Sequence, residues 1–449
     1  MQRTLIKDTP QKKREEVLIK GWVRVRRDHG KLIFLDIRDR SGLIQTVVPS
    51  VSQSWYKTAQ GLNTEDAVEV KGKINKRPEN TINRGLPTGE IEIEVLELKL
   101  LAKAKTPPFD MGSNSLNLEL PTLLDNRSLT IRHPKIAAIF SVQSTIAQAF
   151  RESLWKEGFT EVFVPAIVPS ATEGGAEVFP IEYYSRKAYL AQSPQLYKQM
   201  TVPVYERVFT LAHAYRAEPS ITTRHLSEYL SLDCEIGFID SFHDLMDQAE
   251  KTTKYIFDKV KKENINELKM YGITLPVLDK PIPRIKLKEA QEILLKRGLV
   301  DHRNEPDLDP TDEKEICKWA QEETGNPFVF ITHYPTKKRP FYTMPDKDDP
   351  NYTLSFDLIG INEEWVTGGQ RINDYDQLIS NIREWGNDPA NFGMYLQAFE
   401  YGMPPEGGFA MGLERITKDI LGLSNVREAS LFPRDMERVD ERFSKTKEK

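Results

Sequence analysis

The residues best suited to chemistry lie between Arg207 and Phe238, where two apolar-rich runs, RVFTLAHAYR and YLSLDCEIGF, flank the polar segment AEPSITTRHLSE. Read as a hairpin, the first run places Arg216 on one face with Val208, Thr210, Ala212 and Ala214, small side chains that leave room for a ligand beside the guanidinium. The second run puts Tyr229, Ser231, Asp233 and Glu235 on one face and Leu230, Leu232, Cys234 and Ile236 on the other, so one face is polar and the opposite one is core. Arg216, Arg224 and His225 near the loop offer cations to phosphates, and Tyr229 offers a ring to a base. Any one of these arginines alone would more often be a solvated loop charge.

A second pair of runs, FDLIGI from Phe356 and EEWVTGGQRI from Glu363, sets Glu364 three residues before Thr367, next to Gly368 and Gly369. A carboxylate and a hydroxyl converging there suit one hard cation, such as Mg²⁺ held partly by substrate phosphates. The stretch from Gly407 to Arg415 reads as a strand running into a helix. Its small residues Gly408, Ala410 and Gly412 would let a ligand approach the backbone, and Arg415 stands near a helix N-terminus, where phosphate is favoured. The helix buries Leu413, Ile416, Ile420 and Leu421 and stops at Gly422.

These residues need a large scaffold, and 449 residues supply two or three domains' worth of chain. Hydrophobic residues are 39% and charged residues 29%, too apolar for a disordered chain. No stretch approaches the length of a membrane helix and the polar N-terminus lacks a secretory core, so no membrane partner and a cytoplasmic location are expected. Two cysteines exclude a disulfide scaffold or a four-thiolate metal site. The net charge of −5 conceals an asymmetry: residues 1–105 carry 21 Lys and Arg against 14 Asp and Glu, and the remainder 41 against 53. A basic N-terminal module on an acidic body is the pattern expected where one end meets nucleic acid.

The basic module holds five short β-rich runs: VLIKGWVRVR, KLIFLDIRD, GLIQTVV, AVEVKGKI and IEIEVLELKLL. They predict a small closed barrel of the OB type over residues 1–105. Thr106-Pro107-Pro108 breaks the pattern and places a linker over 106–130. From 131 to 449 a larger domain begins with an amphipathic helix through Ile136, Ile139, Phe140, Ile146, Phe150 and Leu154, ending at Gly158. A strand through Val162 and Val164, ending at Pro165, is expected next, and the charged region from about 242 to 338 reads as an insertion.

The order of these elements resembles the three motifs of class II aminoacyl-tRNA synthetases: a helix then Pro165, a hairpin with Tyr215-Arg216-Ala217-Glu218 and Arg224-His225-Leu226, and the GGFAMGLER junction. The subclass for aspartate, asparagine and lysine also carries an N-terminal OB domain, so the resemblance covers nearly the whole chain. It implies an α+β fold, in which a five-stranded OB barrel precedes a catalytic domain built on an antiparallel sheet flanked by helices. It further implies that Arg216 holds the α-phosphate of ATP, that Arg415 and His225 hold the γ-phosphate, and that Tyr229 stacks on adenine. Arg224 and Gly412 join the ATP site, Glu218 orients the adenine or the tRNA end, Glu364 and Thr367 ligate Mg²⁺, and Pro165 marks a homodimer interface.

The run Gln192-Ser193-Pro194-Gln195-Leu196-Tyr197-Lys198 is similar to that of the aspartate enzymes, which implies L-aspartate as substrate and tRNA(Asp) as acceptor. Lys198 and Arg371 would set two cations at the substrate side chain, which a carboxylate satisfies and an amide would leave unpaired. Glu173 would take the substrate ammonium, with Ser193 and Gln195 completing the pocket. Asn373 and Glu406 stand where the family usually has histidine, which keeps an asparaginyl enzyme as the alternative. In the barrel, Phe34 is expected to stack on anticodon bases, with Arg27 and Gln45 as base contacts. His29, at the variable position of an Arg-Arg-Asp-x-Gly turn, suggests relaxed discrimination that would also admit tRNA(Asn). Two rivals are a synthetase-like RNA-binding paralogue that charges nothing, and an enzyme that amidates free aspartate through the same adenylate. The intact set of cations and carboxylates argues against the first, and the barrel against the second.

Overall fold

In–out alternation closes the N-terminal barrel from five strands: β1 (Glu16–Asp28), β2 (Leu32–Asp39), β3 (Gly42–Pro49), β4 (Ala67–Lys76) and β5 (Ile91–Ala102), in the order β1-β2-β3-β5-β4. Every second residue points inward, so Val17, Ile19 and Val23 of β1 meet Ile33, Leu35 and Ile37 of β2 and Ile44 and Val48 of β3 in one fully buried core. Closure leaves no unpaired edge strand. The computed structural model describes residues 1–51, 53–113, 115–170, 177–219, 222–361 and 363–439. They divide into two units, Met1–Glu119 and Leu120–Lys449.

The second unit is built on eleven strands: β6 (Thr160–Glu161), β7 (Ile167–Val168), β8 (Pro180–Tyr183), β9 (Arg186–Leu190), β10 (Arg207–Tyr215), β11 (Glu228–Gly237), β12 (Arg284–Lys286), β13 (Phe328–Thr332), β14 (Ser355–Gly360), β15 (Glu363–Gln370) and β16 (Glu406–Gly412). Eight of them form one sheet in the order β12-β13-β14-β15-β16-β11-β10-β6, and β7, β9 and β8 form a small separate one. The large sheet is antiparallel from β13 through β10, but β12 pairs parallel to β13 and β6 parallel to β10, so the sheet is mixed rather than antiparallel throughout. The strand expected through Val162 and Val164 is only two residues long, Thr160–Glu161, with the Val162 amide still donating to the Phe209 carbonyl at 2.8 Å just past its end.

The first long helix, Pro134–Lys156, starts on a His133 cap with proline at its first position and buries Ile139, Val142, Ile146, Phe150 and Leu154. Beside it packs the helix Phe242–Glu263, opened by a Ser241/Asp244 capping box. Together they cover one face of the sheet, where Leu232, Cys234 and Ile236 of β11 join Phe356, Leu358, Trp365 and Phe409 in the main core. The region 242–338 supplies this helix and two strands of the sheet, and is thus built into the layers rather than set apart from them.

Candidate active site

The opposite sheet face forms the floor of a cavity of about 620 Å³, all of whose lining residues belong to the second unit. The hairpin is the one the periodicity predicts: Ala214 pairs with Tyr229, Ala212 with Ser231, Thr210 with Asp233 and Val208 with Glu235. Small residues on β10 therefore sit beside the polar row of β11. The two acids of that row are buried, Asp233 at 1% and Glu235 at 0% exposure, so this is a polar interior and not a solvated face.

At one end of the cavity stand the phosphate-binding candidates. Arg216 lies over the Tyr229 ring at 5.7 Å and 3.6 Å from Glu218, while His225 Nε2 is 3.5 Å from the same carboxylate. Arg415, in the first turn of the helix Leu413–Ile420, donates to the Glu364 carbonyl at 2.8 Å and lies 3.5 Å from its carboxylate. Arg224 also lines the cavity, but ion pairs with Glu313 (2.5 Å) and Glu363 (3.1 Å) bind its guanidinium. Burial pushes Glu313 up to about 7 against the pull of Arg224.

The expected cation ligands come together, in company no sequence pattern disclosed. Glu364 and Thr367 both line the cavity, and the Thr367 hydroxyl accepts from Arg339 at 3.0 Å, which leaves it a lone pair. Arg339 also bonds Asp357 at 2.6 Å and lies over the Tyr334 ring at 3.9 Å. Burial, reinforced by the negative charge of Asp357, lifts the Glu364 carboxyl to about 7. Asp357 Oδ1 is buried with no hydrogen-bond partner among the described residues. Excess carboxylate oxygen beside a polar cavity fits a small divalent cation.

At the other end lie Ser193, Gln195, Lys198 and Arg371. Lys198, buried on the helix Gln195–Tyr205, sets its ammonium 3.0 Å from both Asp233 Oδ1 and Glu235 Oε2. Burial alone would lower its pKa, but these two acids outweigh it and raise it. Arg371 Nε donates to Glu235 Oε1 at 2.8 Å, and its terminal nitrogen reaches the Gly408 carbonyl at 3.1 Å. Gln195 joins through Glu235 at 3.4 Å, and the Ser193 hydroxyl accepts from the Gln195 amide at 3.2 Å. Both cations thus have protein partners of their own. This corrects the expectation that an amide ligand would leave them unpaired. Gly408 is also explained here: a Cβ on it would lie 2.1 Å from the Cys234 carbonyl and 2.3 Å from Glu235 Oε2, so the small residue makes room for Glu235. Glu173, expected at the substrate ammonium, lies outside the described residues.

In the first unit, Arg27 forms a two-pronged ion pair with Asp36 at 2.8 and 2.9 Å and reaches Gln45 at 3.3 Å, while Gln45 bonds Glu92 at 3.0 Å. The expected base contacts are therefore tied into a polar ladder across β1, β2, β3 and β5. The His29 ring stands edge-on to Phe34 at 5.4 Å.

Residues 119–436 match the family of class II tRNA synthetases (D, K and N), and residues 17–101 match the OB-fold nucleic acid binding domain. With the sheet, cavity and barrel described, the chain belongs to that synthetase family. It is 42% identical over 429 residues to the aspartate–tRNA(Asp/Asn) ligase of Aeropyrum pernix, covering 94% of this chain and 95% of that one. It is 39% identical over 446 residues to the Deinococcus radiodurans ligase of the same name, covering 98% and 99%. Among solved structures, the asparaginyl-tRNA synthetase of Pyrococcus horikoshii with asparaginyl-adenylate superposes with a TM-score of 0.89 at 32% identity, covering 98% of this chain and 99% of that one.

Proposed function

We propose that the chain activates L-aspartate with ATP to aspartyl-adenylate and pyrophosphate, then transfers the aspartyl group to the terminal ribose of tRNA(Asp). The observation that carries this reading is one cavity with Arg216 and Arg415 at one end and the cation pair Lys198 and Arg371 at the other. Arg216 is suited to the α-phosphate, where charge grows as the amino-acid carboxylate attacks, and a fixed cation there acts most strongly in the transition state. Arg415 and His225 suit the terminal phosphates, and the Tyr229 ring the adenine. Lys198 and Arg371 suit the substrate side chain, with Ser193 and Gln195 narrowing the pocket around it. Glu364 and Thr367 would hold Mg²⁺, which, when bound, neutralises phosphate charge. Reaction then depends on positioning and electrostatics, with no covalent enzyme intermediate.

Homodimerisation is supported by exposed apolar residues: Phe163, two residues beyond the edge strand β6, is 85% exposed, and Val204 and Tyr205 just before β10 and Phe238 just after β11 are 70, 48 and 68% exposed. Charging of tRNA(Asn) as well rests on His29 beside Phe34 and on the two-acceptor names of the Aeropyrum and Deinococcus relatives. ATP–pyrophosphate exchange with aspartate and with asparagine tests the central reading. Exchange with aspartate alone is expected; exchange with asparagine alone, or with neither, would overturn it. Aspartylation of both tRNA transcripts decides the acceptor.

A further inference from the structure

Glu406 opens β16 and is wholly buried, yet it does not line the cavity. Its Oε1 accepts from Gln199 at 2.7 Å, and Gln199 in turn accepts from the Tyr395 hydroxyl at 3.2 Å. Its Oε2 finds no hydrogen-bond partner among the described groups. The groups that face it are Gln199 of the helix Gln195–Tyr205, Tyr395 of the helix Gly393–Glu400, Glu235 of β11, and Arg371 just beyond β15, while Lys198 reaches it only through Glu235. Counted without Glu406, the formal charges of this buried floor cancel: Lys198 and Arg371 are matched by Asp233 and Glu235.

We infer that Glu406 is a specificity-positioning residue that works as a neutral carboxylic acid, its proton donated to Glu235, so that the pocket floor stays uncharged and can receive the side-chain carboxylate of aspartate. This rests on the aspartate reading above. An oxygen with no donor in a fully buried place is costly as an acceptor, whereas a protonated oxygen beside a carboxylate becomes a donor with a partner. Were Glu406 ionised, three buried carboxylates would oppose two cations and the substrate carboxylate would be a fourth negative charge. The surroundings favour the proton: burial first, then Glu235, hold the Glu406 carboxyl well above the ordinary range, while Arg371 and Lys198 overcome burial to keep Glu235 ionised. Two close carboxyl groups that share one charge are the usual outcome of such a site.

The test pairs a structural and a kinetic readout on the full chain. An infrared difference spectrum between wild type and Glu406→Gln at neutral pH should show the carbonyl band of one protonated carboxylic acid. As pH is raised until that band bleaches, KM for aspartate in pyrophosphate exchange should climb about tenfold per pH unit while kcat holds, because the ionised floor rejects the substrate. Glu406→Gln, neutral at every pH, should lack the climb. A carboxylate signal for Glu406 at neutral pH, or a KM indifferent to loss of the band, would overturn the inference. Absence of aspartate exchange in the wild type would instead sink the functional reading, and the infrared arm tells the two failures apart.

Discussion

Lys198 and Asp233 meet at 3.0 Å in the interior, the lysine from a helix and the aspartate from the middle of β11, 35 residues later. A lysine so paired is part of the folded core as well as of the ligand pocket. Its removal has two consequences that must be measured apart. Lys198→Leu is expected to abolish aspartate-dependent exchange. It also strands Asp233 and Glu235, and breaking a buried pair this way costs about 3–5 kcal/mol of stability. Thermal denaturation of Lys198→Leu beside the double variant Lys198→Met/Asp233→Asn checks this: the double variant should regain stability without regaining exchange.

Arg216 stands over Tyr229 with Glu218 at its side, which fixes the guanidinium at the cavity. Arg216→Gln is expected to lower kcat for exchange by about a hundredfold or more, the usual effect of losing a group that stabilises developing charge. Arg216→Lys should recover little, since an ammonium cannot reproduce the planar fork. Steady-state kinetics with ATP varied would show a loss carried by kcat rather than by KM.

The Glu414 carboxyl receives the Leu230 amide at 3.1 Å, and burial raises it to about 7. The folded state therefore binds a proton more tightly than the unfolded chain does. This contribution is complete below about pH 4.5 and is lost as pH climbs through 7. Glu414→Gln keeps an acceptor for Leu230 and cannot ionise, so its stability should fall less over that window, by on the order of 1–3 kcal/mol. Urea denaturation of both proteins at pH 5 and pH 8 gives the comparison.

In the barrel, Phe34 offers a stacking face, with the His29 ring edge-on beside it, whereas Arg27 and Gln45 are held in the ladder with Asp36 and Glu92. Phe34→Ala should weaken tRNA binding by about 1–3 kcal/mol, roughly tenfold or more in KM for tRNA. Exchange without tRNA should be unaffected, because the cavity belongs to the other unit.

The exposed Phe163 gives a direct test of association. Phe163→Glu would place a charge in an apolar interface and should shift the protein toward half its mass in light scattering at micromolar concentration.

Much of this was legible from residue order alone, because it depends on local periodicity. The alternation in LIFLDIRD and YLSLDCEIG assigned each side chain to a face before any partner was known, and the capped run from Pro134 marked the first helix to within a few residues. Arg216 and Arg415 stood out because small residues share their strand face or precede them, and Glu364 because it stands three residues before Thr367 and its two glycines. Asp233 and Glu235 were visible as a polar row, yet nothing in their spacing named Lys198 and Arg371 as their partners. Arg339 and Asp357 carried no signal, for each is a single charged residue in an ordinary context, and Glu406 was marked only as standing where the resembled family has histidine, with nothing to show that it would be buried beside Glu235. The sequence by itself determined the strands, their faces and the order of the site-bearing segments. Only the tertiary structure decided which charges are already neutralised, because pairing in a buried floor depends on distances between strands and helices far apart in the chain, and those distances exist only once the sheet has closed over its core.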